Sequence, residues 1–372
     1  MRILLCSYYY PPDINPIAFR TEALIKEFLR RGAQVDLFIP GTVATSCQQD
    51  NLRVFAVGNS DRGMSRQDKK LKKAFLSIPG FSYLDKWRKY FFYSQNIYGR
   101  ELTTALLAQA AEHYDLVISL DVPLLVHEGV GNFIKRGKCK MGCTIADCSD
   151  PIYAGSDHKY SPLVSLREKQ ALAVFDYVTV RLQAAVPAFS CYRSIDRIKV
   201  ISQGYDFADI KLGKYSKNAV PSFAYAGKIY EHMRNPYRFF QYLQKLGLDF
   251  HFYLYLDANS QKIVQPYLTG LKDKVTITAF LPRKELLPKL ATMDFLINFA
   301  NINRPQQLPS KIIDYAFTGR PILDVNCDDF NAAAFDEFLQ GNYDQQMIVD
   351  WRQHNICTIA EQFLNLAVLS PT

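Results

Sequence analysis

Two carboxylates, Asp147 and Asp150, closely follow the segment from Lys140 to Ile145, which predicts a β-strand. In an open parallel α/β sheet, ligands bind beyond the carboxyl ends of the strands. This position makes Asp147 and Asp150 candidate acceptor-site or catalytic carboxylates. The alternative role for both residues is to form a turn and to cap a helix.

Residues 308–323 predict a loop, a short helix, a glycine stop and a buried strand. Pro309 and Ser310 favour a helix start, because proline suits the first turn and a serine hydroxyl can cap N–H groups. Gly319 suits a left-handed helix end. The first N–H groups of such a helix and its dipole attract anions. Asp314, about one turn further, could accept hydrogen bonds from two sugar hydroxyls. The combination fits a nucleoside diphosphate.

Two cations follow the predicted strand from Ser222 to Gly227. Lys228 comes directly after the glycine, and Arg234 lies shortly before a predicted helix. Positive charges just beyond a strand end suit a diphosphate. The alternative for either residue alone is an ordinary surface charge.

The composition describes a globular chain with room for two domains. It has 372 residues, of which 48% are hydrophobic and 22% charged, values typical of globular proteins. No apolar run approaches the roughly 18 residues of a membrane helix. The first residues predict a β-strand and not a signal peptide, so we expect a cytoplasmic protein. The net charge of +8 favours anionic partners without choosing among them.

Metal and redox cofactors are not expected. The clustered cysteines, Cys139, Cys143 and Cys148, lack C-x-x-C spacing and a neighbouring histidine, so buried reduced thiols are favoured over a metal site. The G-x-G-x-x-G fingerprint is absent after the first strand, which argues against a nicotinamide or flavin enzyme.

Residues 62–92 combine basic and aromatic side chains. That pattern is typical of a surface that contacts an anionic membrane. The alternative is a solvated lysine-rich helix followed by an ordinary amphipathic helix. No helix-turn-helix, RRM or KH signature occurs, so no nucleic-acid partner is predicted.

Hydrophobic periodicity alternates between strands and helices from residue 3 onward. We therefore predict an α/β fold of two Rossmann-like parallel-sheet domains facing a cleft. The predicted domains are residues 1–207 and 208–350, with a C-terminal helix within 351–372. The polar segment 207–220 predicts the linker.

Together these motifs resemble the family 4 retaining glycosyltransferases, which have the GT-B fold. Residues 9–35 resemble the start of that family's acceptor domain, and 145–151 are similar to an Asp-Pro segment of one branch. Residues 201–206 resemble the turn before the interdomain linker, and 225–228 the glycine turn of the donor domain. Residues 308–323 resemble the family signature.

The resemblance implies roles for individual residues. It implies that the domain of residues 1–207 binds the acceptor, that 208–350 bind the donor, and that the last helix packs back on the first domain. Around the donor, Lys228 and Arg234 after Gly227 would hold the diphosphate, Ser310 and Lys311 would offer backbone N–H groups, Asp314 would hold the ribose, and Phe280 and Leu281 would lie beside the base. Asp150 would position acceptor or donor hydroxyls.

The resemblance also implies a reaction. The enzyme would move a sugar from a UDP- or GDP-sugar to a glycan or lipid-linked glycan during polysaccharide biosynthesis, at the inner face of the cell membrane. Because no D-x-D motif is present, cations and a helix dipole would stabilise the leaving diphosphate without a divalent metal. The resemblance further implies that the leaving phosphate oxygen accepts the acceptor's proton.

The chain departs from the family pattern at several positions. The E-x7-E pair is Gln306 and Asp314, the cation types at Lys228 and Arg234 are exchanged, and residues 13–16 replace a common glycine pair. Two alternatives to a transferase therefore remain: a sugar-nucleotide epimerase or hydrolase of the same fold, and an inactive sugar-nucleotide-binding scaffold.

Overall fold

The structure is a computed structural model that describes residues 1–13, 15–41, 50–58, 97–149, 151–155, 160–231, 235–300 and 309–369. The predicted membrane-contacting stretch, residues 62–92, lies outside the described residues. Asp150, Arg234 and Gln306 also lie outside them.

The chain divides into two compact units. Unit 1 comprises Met1–Asp206 and Asn355–Thr372, and unit 2 comprises Phe207–His354. The sequence placed the boundary one residue later and began the terminal segment at residue 351. Unit 2 is therefore one continuous stretch of chain, whereas unit 1 is built from two.

A seven-stranded parallel sheet forms the centre of unit 1. Its spatial order is β3-β2-β1-β4-β5-β6-β7. The strands are β1 (Arg2–Cys6), β2 (Gln34–Pro40), β3 (Leu52–Val57), β4 (His113–Leu120), β5 (Lys140–Asp147), β6 (Tyr177–Val180) and β7 (Ile198–Val200). Most of these strands are nearly continuous apolar runs, as expected for a sheet that is covered on both faces.

A five-stranded parallel sheet forms the centre of unit 2, in the order β10-β9-β8-β11-β12. The strands are β8 (Ser222–Ala226), β9 (His251–Leu256), β10 (Val275–Ala279), β11 (Phe295–Phe299) and β12 (Ile322–Val325). In each sheet the chain builds outward on one side and then crosses to the other. The order of strands therefore reverses between β1 and β4 in unit 1 and between β8 and β11 in unit 2.

Helices connect and cover the strands. They are α1 (Pro16–Arg30), α2 (Tyr98–Gln109), α3 (Leu125–Lys135), α4 (Ile152–Gly155), α5 (Pro162–Leu172), α6 (Val186–Phe189), α7 (Tyr237–Lys245), α8 (Ala258–Val264), α9 (Arg283–Leu290), α10 (Ser310–Thr318), α11 (Ala332–Gln340) and α12 (Ile356–Leu369). Among the described helices, none is both long and apolar enough to cross a bilayer.

Local chemistry explains where these helices begin and end. The side chain of Asn15 accepts hydrogen bonds from Ile17 N and Ala18 N at the start of α1, which is the usual function of an N-cap residue. Gly319 ends α10 with φ of 69°, as its position in the sequence predicts.

Alternating side chains of β1 enter two cores. Ile3 and Leu5 are buried with Phe28 of α1 and Phe363 of α12, and Leu4 is buried on the other face, in a cluster that α2 and α3 complete. The terminal helix α12 is therefore part of the unit 1 core.

Aromatic side chains dominate the core of unit 2. Phe223, Phe295 and Phe299 of the sheet are buried with Phe239 of α7 and Phe335 of α11. On the opposite face α10 packs on β8, where the Tyr315 hydroxyl accepts a hydrogen bond from Ala226 N at 2.7 Å. This packing fixes the start of α10 near the end of β8.

Candidate functional site

The unit 2 site begins with the turn after β8, the strand beside the point where the strand order reverses. Gly227 has φ of +154°, and a Cβ there would lie 3.1 Å from the Tyr225 hydroxyl. That hydroxyl donates a hydrogen bond to the Lys228 carbonyl at 2.8 Å. The turn thus needs glycine and is held from below by a buried tyrosine.

The start of α10 meets this turn. The Lys311 ammonium lies 4.1 Å from the centre of the Tyr225 ring, and its Cδ would be 3.4 Å from a Cβ at position 227. Two motifs that are far apart in sequence are therefore adjacent in unit 2. Ligands of doubly wound sheets bind beyond the strand ends at such a reversal point.

The predicted serine cap of α10 is wrong. Pro309 is the N-cap residue and no side chain of the described residues caps the helix; Ser310 is its first residue and is exposed. Proline has the fixed φ that suits a helix start but no side-chain acceptor. The Ser310 hydroxyl therefore does not cap α10. Ser310 is instead the exposed first residue of the helix, next to its first backbone N–H groups.

Asp314, the predicted ribose ligand, is paired with a cation that the sequence analysis missed. Arg283, the first residue of α9, donates from Nε to Asp314 Oδ1 at 2.7 Å. Burial raises the pKa of Asp314, and Arg283 acts in the opposite direction. The Arg283 guanidinium also lies 4.4 Å from the centre of the Phe207 ring. Arg283 therefore holds the Asp314 carboxylate in a fixed orientation.

The other predicted donor residues of unit 2 follow strand ends. Phe280 and Leu281 follow the edge strand β10, and the Phe280 side chain is 45% exposed. Lys228 is exposed. An exposed aromatic ring at the carboxyl edge of a sheet is available for stacking on a flat ligand.

A polar pair on β11 and β12, with Asn298 buried and Asp324 exposed, was not foreseen. Asn298 Nδ2 donates to Asp324 Oδ1 at 2.6 Å, and Asn298 Oδ1 is buried without a partner among the described residues. Desolvation of its carboxyl group raises the pKa of Asp324, while Asn298 and then the Lys311 charge lower it. The sequence signal that could have identified this pair is the presence of polar residues within otherwise apolar strands.

In unit 1, Asp147 is a fully buried ion-pair carboxylate. Arg20 donates to it from Nε at 2.9 Å and from Nη2 at 3.0 Å, and Arg181 donates from Nη1 at 2.7 Å. Burial alone would raise the pKa of Asp147, but the charges of Arg181 and Arg20 hold it well below its usual range. Its predicted catalytic role stays a prediction, and these contacts give it a structural one.

Asp121 and His127 were not among the predicted site residues. Asp121 directly follows β4, and burial raises its pKa to about 7. His127 Nδ1 lies 2.7 Å from Ser119 Oγ, and burial lowers the pKa of His127 to about 4. A neutral buried histidine with hydroxyl and thiol neighbours is an ordinary satisfied core residue.

Neither the cavities nor the possible metal ligands of the described residues indicate a functional site elsewhere. A cavity of about 520 Å³ is lined by side chains of α2, α3 and α5, including Arg100, Glu128 and Arg167. A second, of about 350 Å³, lies along β12 and α11. Within the described ranges, no group of three or more histidine, cysteine, aspartate and glutamate side chains could hold a metal ion.

No protein-family model and no curated protein matches the sequence. Solved structures match nearly the whole chain. The catalytic domain of starch synthase IV from Arabidopsis thaliana, bound to ADP and acarbose, is 11% identical with a TM-score of 0.58, over 99% of each chain. A glycosyltransferase from Rickettsia africae is 12% identical with a TM-score of 0.57, over 99% of this chain and 93% of the other. The apo lipopolysaccharide outer core galactosyltransferase WaaB is 11% identical with a TM-score of 0.53, over 100% of this chain and 99% of the other.

These likenesses, together with the two parallel sheets, show the fold. The chain has the two-domain, Rossmann-like α/β architecture known as GT-B, and the predicted fold class is confirmed. The family 4 subtype stays a prediction.

Proposed function

We propose that this chain is a glycosyltransferase that moves a sugar from a nucleotide-sugar donor to a glycan or lipid-linked glycan acceptor. The observation that carries the proposal is the meeting of Gly227 with Lys311 at the reversal point of the unit 2 sheet. A close backbone turn, a cation and a helix start are the parts that a diphosphate requires.

The donor then has a defined orientation. Its diphosphate lies at the Gly227 turn against Lys228, Arg234 and Lys311. The backbone N–H groups of Ser310 and Lys311 bind phosphate oxygens.

The nucleoside extends away from the diphosphate. Its base lies beside Phe280 and Leu281, and its ribose reaches Asp314. Because Arg283 contacts Oδ1 of Asp314, we assign Oδ2 to the ribose hydroxyls.

Charge on the leaving diphosphate is the main quantity that the protein must stabilise. We infer that Lys228, Arg234 and Lys311 supply that stabilisation together with the α10 dipole, so that no divalent metal is required. The reaction retains anomeric configuration, and Asp150 positions hydroxyls of the acceptor or donor. Asp147 holds Arg20 and Arg181 in place for this arrangement.

Similar structures support a role in polysaccharide biosynthesis. WaaB acts on lipopolysaccharide outer core, and the starch synthase domain was solved with ADP. We infer a UDP- or GDP-sugar donor, and a cytoplasmic protein that contacts the anionic inner face of the cell membrane through residues 62–92.

A thermal-shift screen against UDP-, GDP-, ADP- and TDP-sugars, with and without EDTA, tests the donor site, since a ligand that binds only the folded state raises Tm. Lys311→Met should abolish the shift. Lys274→Met is the matched control, because the Lys274 ammonium also lies over an aromatic ring, 5.3 Å from the centre of Phe250, but at the amino end of β10.

Product analysis then separates the alternatives. Transfer to an acceptor supports the proposal, whereas free sugar or an epimerised donor without an acceptor indicates the epimerase or hydrolase. Binding without turnover indicates the scaffold protein. No shift with any nucleotide-sugar contradicts a competent donor site.

A further inference from the structure

Three neighbouring strands of unit 1 end at charged residues. Asp121 follows β4, Asp147 ends β5 and Arg181 follows β6. The backbone N–H of Asp121 donates to the Asp147 carbonyl at 2.9 Å, so the strand ends are in register. They lie at the carboxyl edge of the sheet, next to the reversal between β1 and β4.

The Arg181 guanidinium uses only part of its hydrogen-bonding capacity. Its Nη1 donates to Asp147 Oδ1 at 2.7 Å. Its Nε and Nη2 are buried and have no partner among the described residues. Arg20 differs, because it donates to Asp147 and also to the carbonyls of Ser202 and Gln203. One edge of Arg181 is thus uncommitted, and its side chain, 13% exposed, lies just beneath the surface.

Asp121 has an unused hydrogen-bond acceptor, whereas the uncommitted edge of Arg181 has unused donors. It is 2% exposed, and its Oδ2 accepts only long hydrogen bonds, from Ser149 N at 3.4 Å and Ser149 Oγ at 3.3 Å. Its Oδ1 is buried without a partner in the part of the chain that the structure describes. Burial and the Glu168 charge raise the pKa of Asp121, while Ser149 and the Arg181 charge lower it, yet no hydrogen bond joins Asp121 to Arg181.

Unpaired buried polar atoms are rare in native proteins because each costs free energy. Here two donors and one acceptor of this kind occur on two neighbouring residues. Two arginines also share the single carboxylate of Asp147, and burial raises the pKa of Asp121 to about 7. The Nε and Nη2 edge of Arg181 matches two oxygens of a carboxylate or phosphate.

We propose that Arg181 and Asp121 form a subsite for an oxyanion, a carboxylate or phosphate, carried by the acceptor sugar. Arg181 binds the oxyanion through Nε and Nη2, and Asp121 Oδ1 accepts a hydrogen bond from a neighbouring hydroxyl. The assignment to the acceptor rests on the proposed function, whereas binding of the oxyanion does not. A buried water molecule is the competing occupant, and it would show no preference for anions.

Calorimetric titration of the full chain with glucuronate, glucose 6-phosphate and glucose tests the subsite. The two anionic sugars should bind more tightly than glucose, and their ratio identifies the carboxylate or the phosphate. Arg181→Lys keeps the positive charge and can still reach Asp147, but it loses the paired N–H donors of the guanidinium. The variant should therefore bind the preferred anionic sugar about tenfold or more weakly than the wild type does. Arg197→Gln removes an exposed charge of the same unit and should leave binding unchanged.

Asp121→Ala tests the hydroxyl contact. The variant should bind the preferred anionic sugar more weakly than the wild type does. It should bind inorganic phosphate at least as tightly as the wild type does. Equal binding of all three sugars, or unchanged binding to the Arg181→Lys variant, would overturn the subsite. Unchanged binding of the anionic sugar to the Asp121→Ala variant would overturn the role of Asp121.

The thermal shift with nucleotide-sugars, measured on the same variants, reports the unit 2 site separately. Retained donor shifts with no oxyanion preference refute the subsite alone. Oxyanion binding without any donor shift refutes the proposed function alone.

Discussion

The carboxylate of Asp314 is paired with the guanidinium of Arg283, with Arg283 Nε 2.7 Å from Asp314 Oδ1. The pair links α10 to α9 within unit 2. It gives the proposed ribose ligand a fixed orientation. Positioning of this kind lowers the entropy that a ligand must lose on binding.

Asp314→Ala should raise the KM for the donor by about tenfold or more with a smaller effect on kcat, because a charged hydrogen bond to substrate is lost in ground and transition states alike. Arg283→Lys should raise KM less, since Asp314 remains but is held less rigidly. Initial-rate kinetics at varied donor concentration measure both. An unchanged KM for the Asp314→Ala variant would show that the ribose is bound elsewhere.

Gly227→Ala should destabilise unit 2 and weaken donor binding. The added methyl group would meet the Tyr225 hydroxyl at 3.1 Å with φ at +154°, and such backbone strain costs about 1–3 kcal/mol. Gly247→Ala is the control, because nothing lies within 4 Å of its Cβ position. Urea denaturation compares the free energies of unfolding, and equal values for the two variants would contradict the strained turn.

Asp147→Asn should destabilise the fold by about 3–5 kcal/mol, since removal of the charge leaves the buried Arg20 and the largely buried Arg181 without their counter-ion. Asp206→Asn is the matched control, because that carboxylate pairs with Arg30 at the surface, where both side chains are partly exposed, and a pair of this kind contributes about 0–1 kcal/mol. If Asp147→Asn instead left stability unchanged and abolished transfer, Asp147 would act in catalysis and not as a structural ion-pair partner.

Asp121→Asn should change the pH dependence of stability. Burial raises the folded-state pKa of Asp121 from 3.8 to about 7, so the folded state binds more protons than the unfolded state between these values. The free energy of unfolding contributed by this group therefore falls as pH rises from about 4 to about 7. The variant lacks that loss and should gain Tm relative to the wild type as pH increases.

His127 affects the same measurement in the opposite direction. Its pKa falls to about 4 on burial, so its contribution to stability is lost as pH falls from about 6.5 to about 4. Because both proteins carry His127, the difference in Tm between wild type and variant isolates Asp121. A constant difference across this range would contradict a raised pKa.

The sequence predicted the regular elements best where patterns are local. The sequence predicts strands over residues 177–180, 275–279 and 295–299, and β6, β10 and β11 have these bounds, because each is a short apolar run with clear breaks. Strand β3 was missed, since four of its six residues are only half-buried and its pattern is weak. Helices α8 and α11 were also missed, although Asp257 and Asn331 cap them.

Most of the site chemistry that was missed is long-range. Arg20 and Asp147 are 127 positions apart, and Arg283 and Asp314 are 31 apart. Composition and spacing show that such residues exist but not that they meet, because the pairing depends on strand order. Asp121 was missed for a related reason: the importance of the polar end of β4 is visible only once it is known that β5 lies beside β4 and β6 beside β5.

The return of α12 to unit 1 has a consequence for the order in which the protein matures on the ribosome. Phe363 and Ile359 complete a core begun by Ile3 and Leu5, yet they are synthesised after all of unit 2. Domains generally fold as units during synthesis, so unit 2 is complete while unit 1 still exposes an apolar face. The nascent chain must keep that face from aggregating until α12 emerges, and truncation within α12 would harm unit 1 first, although the missing residues follow unit 2.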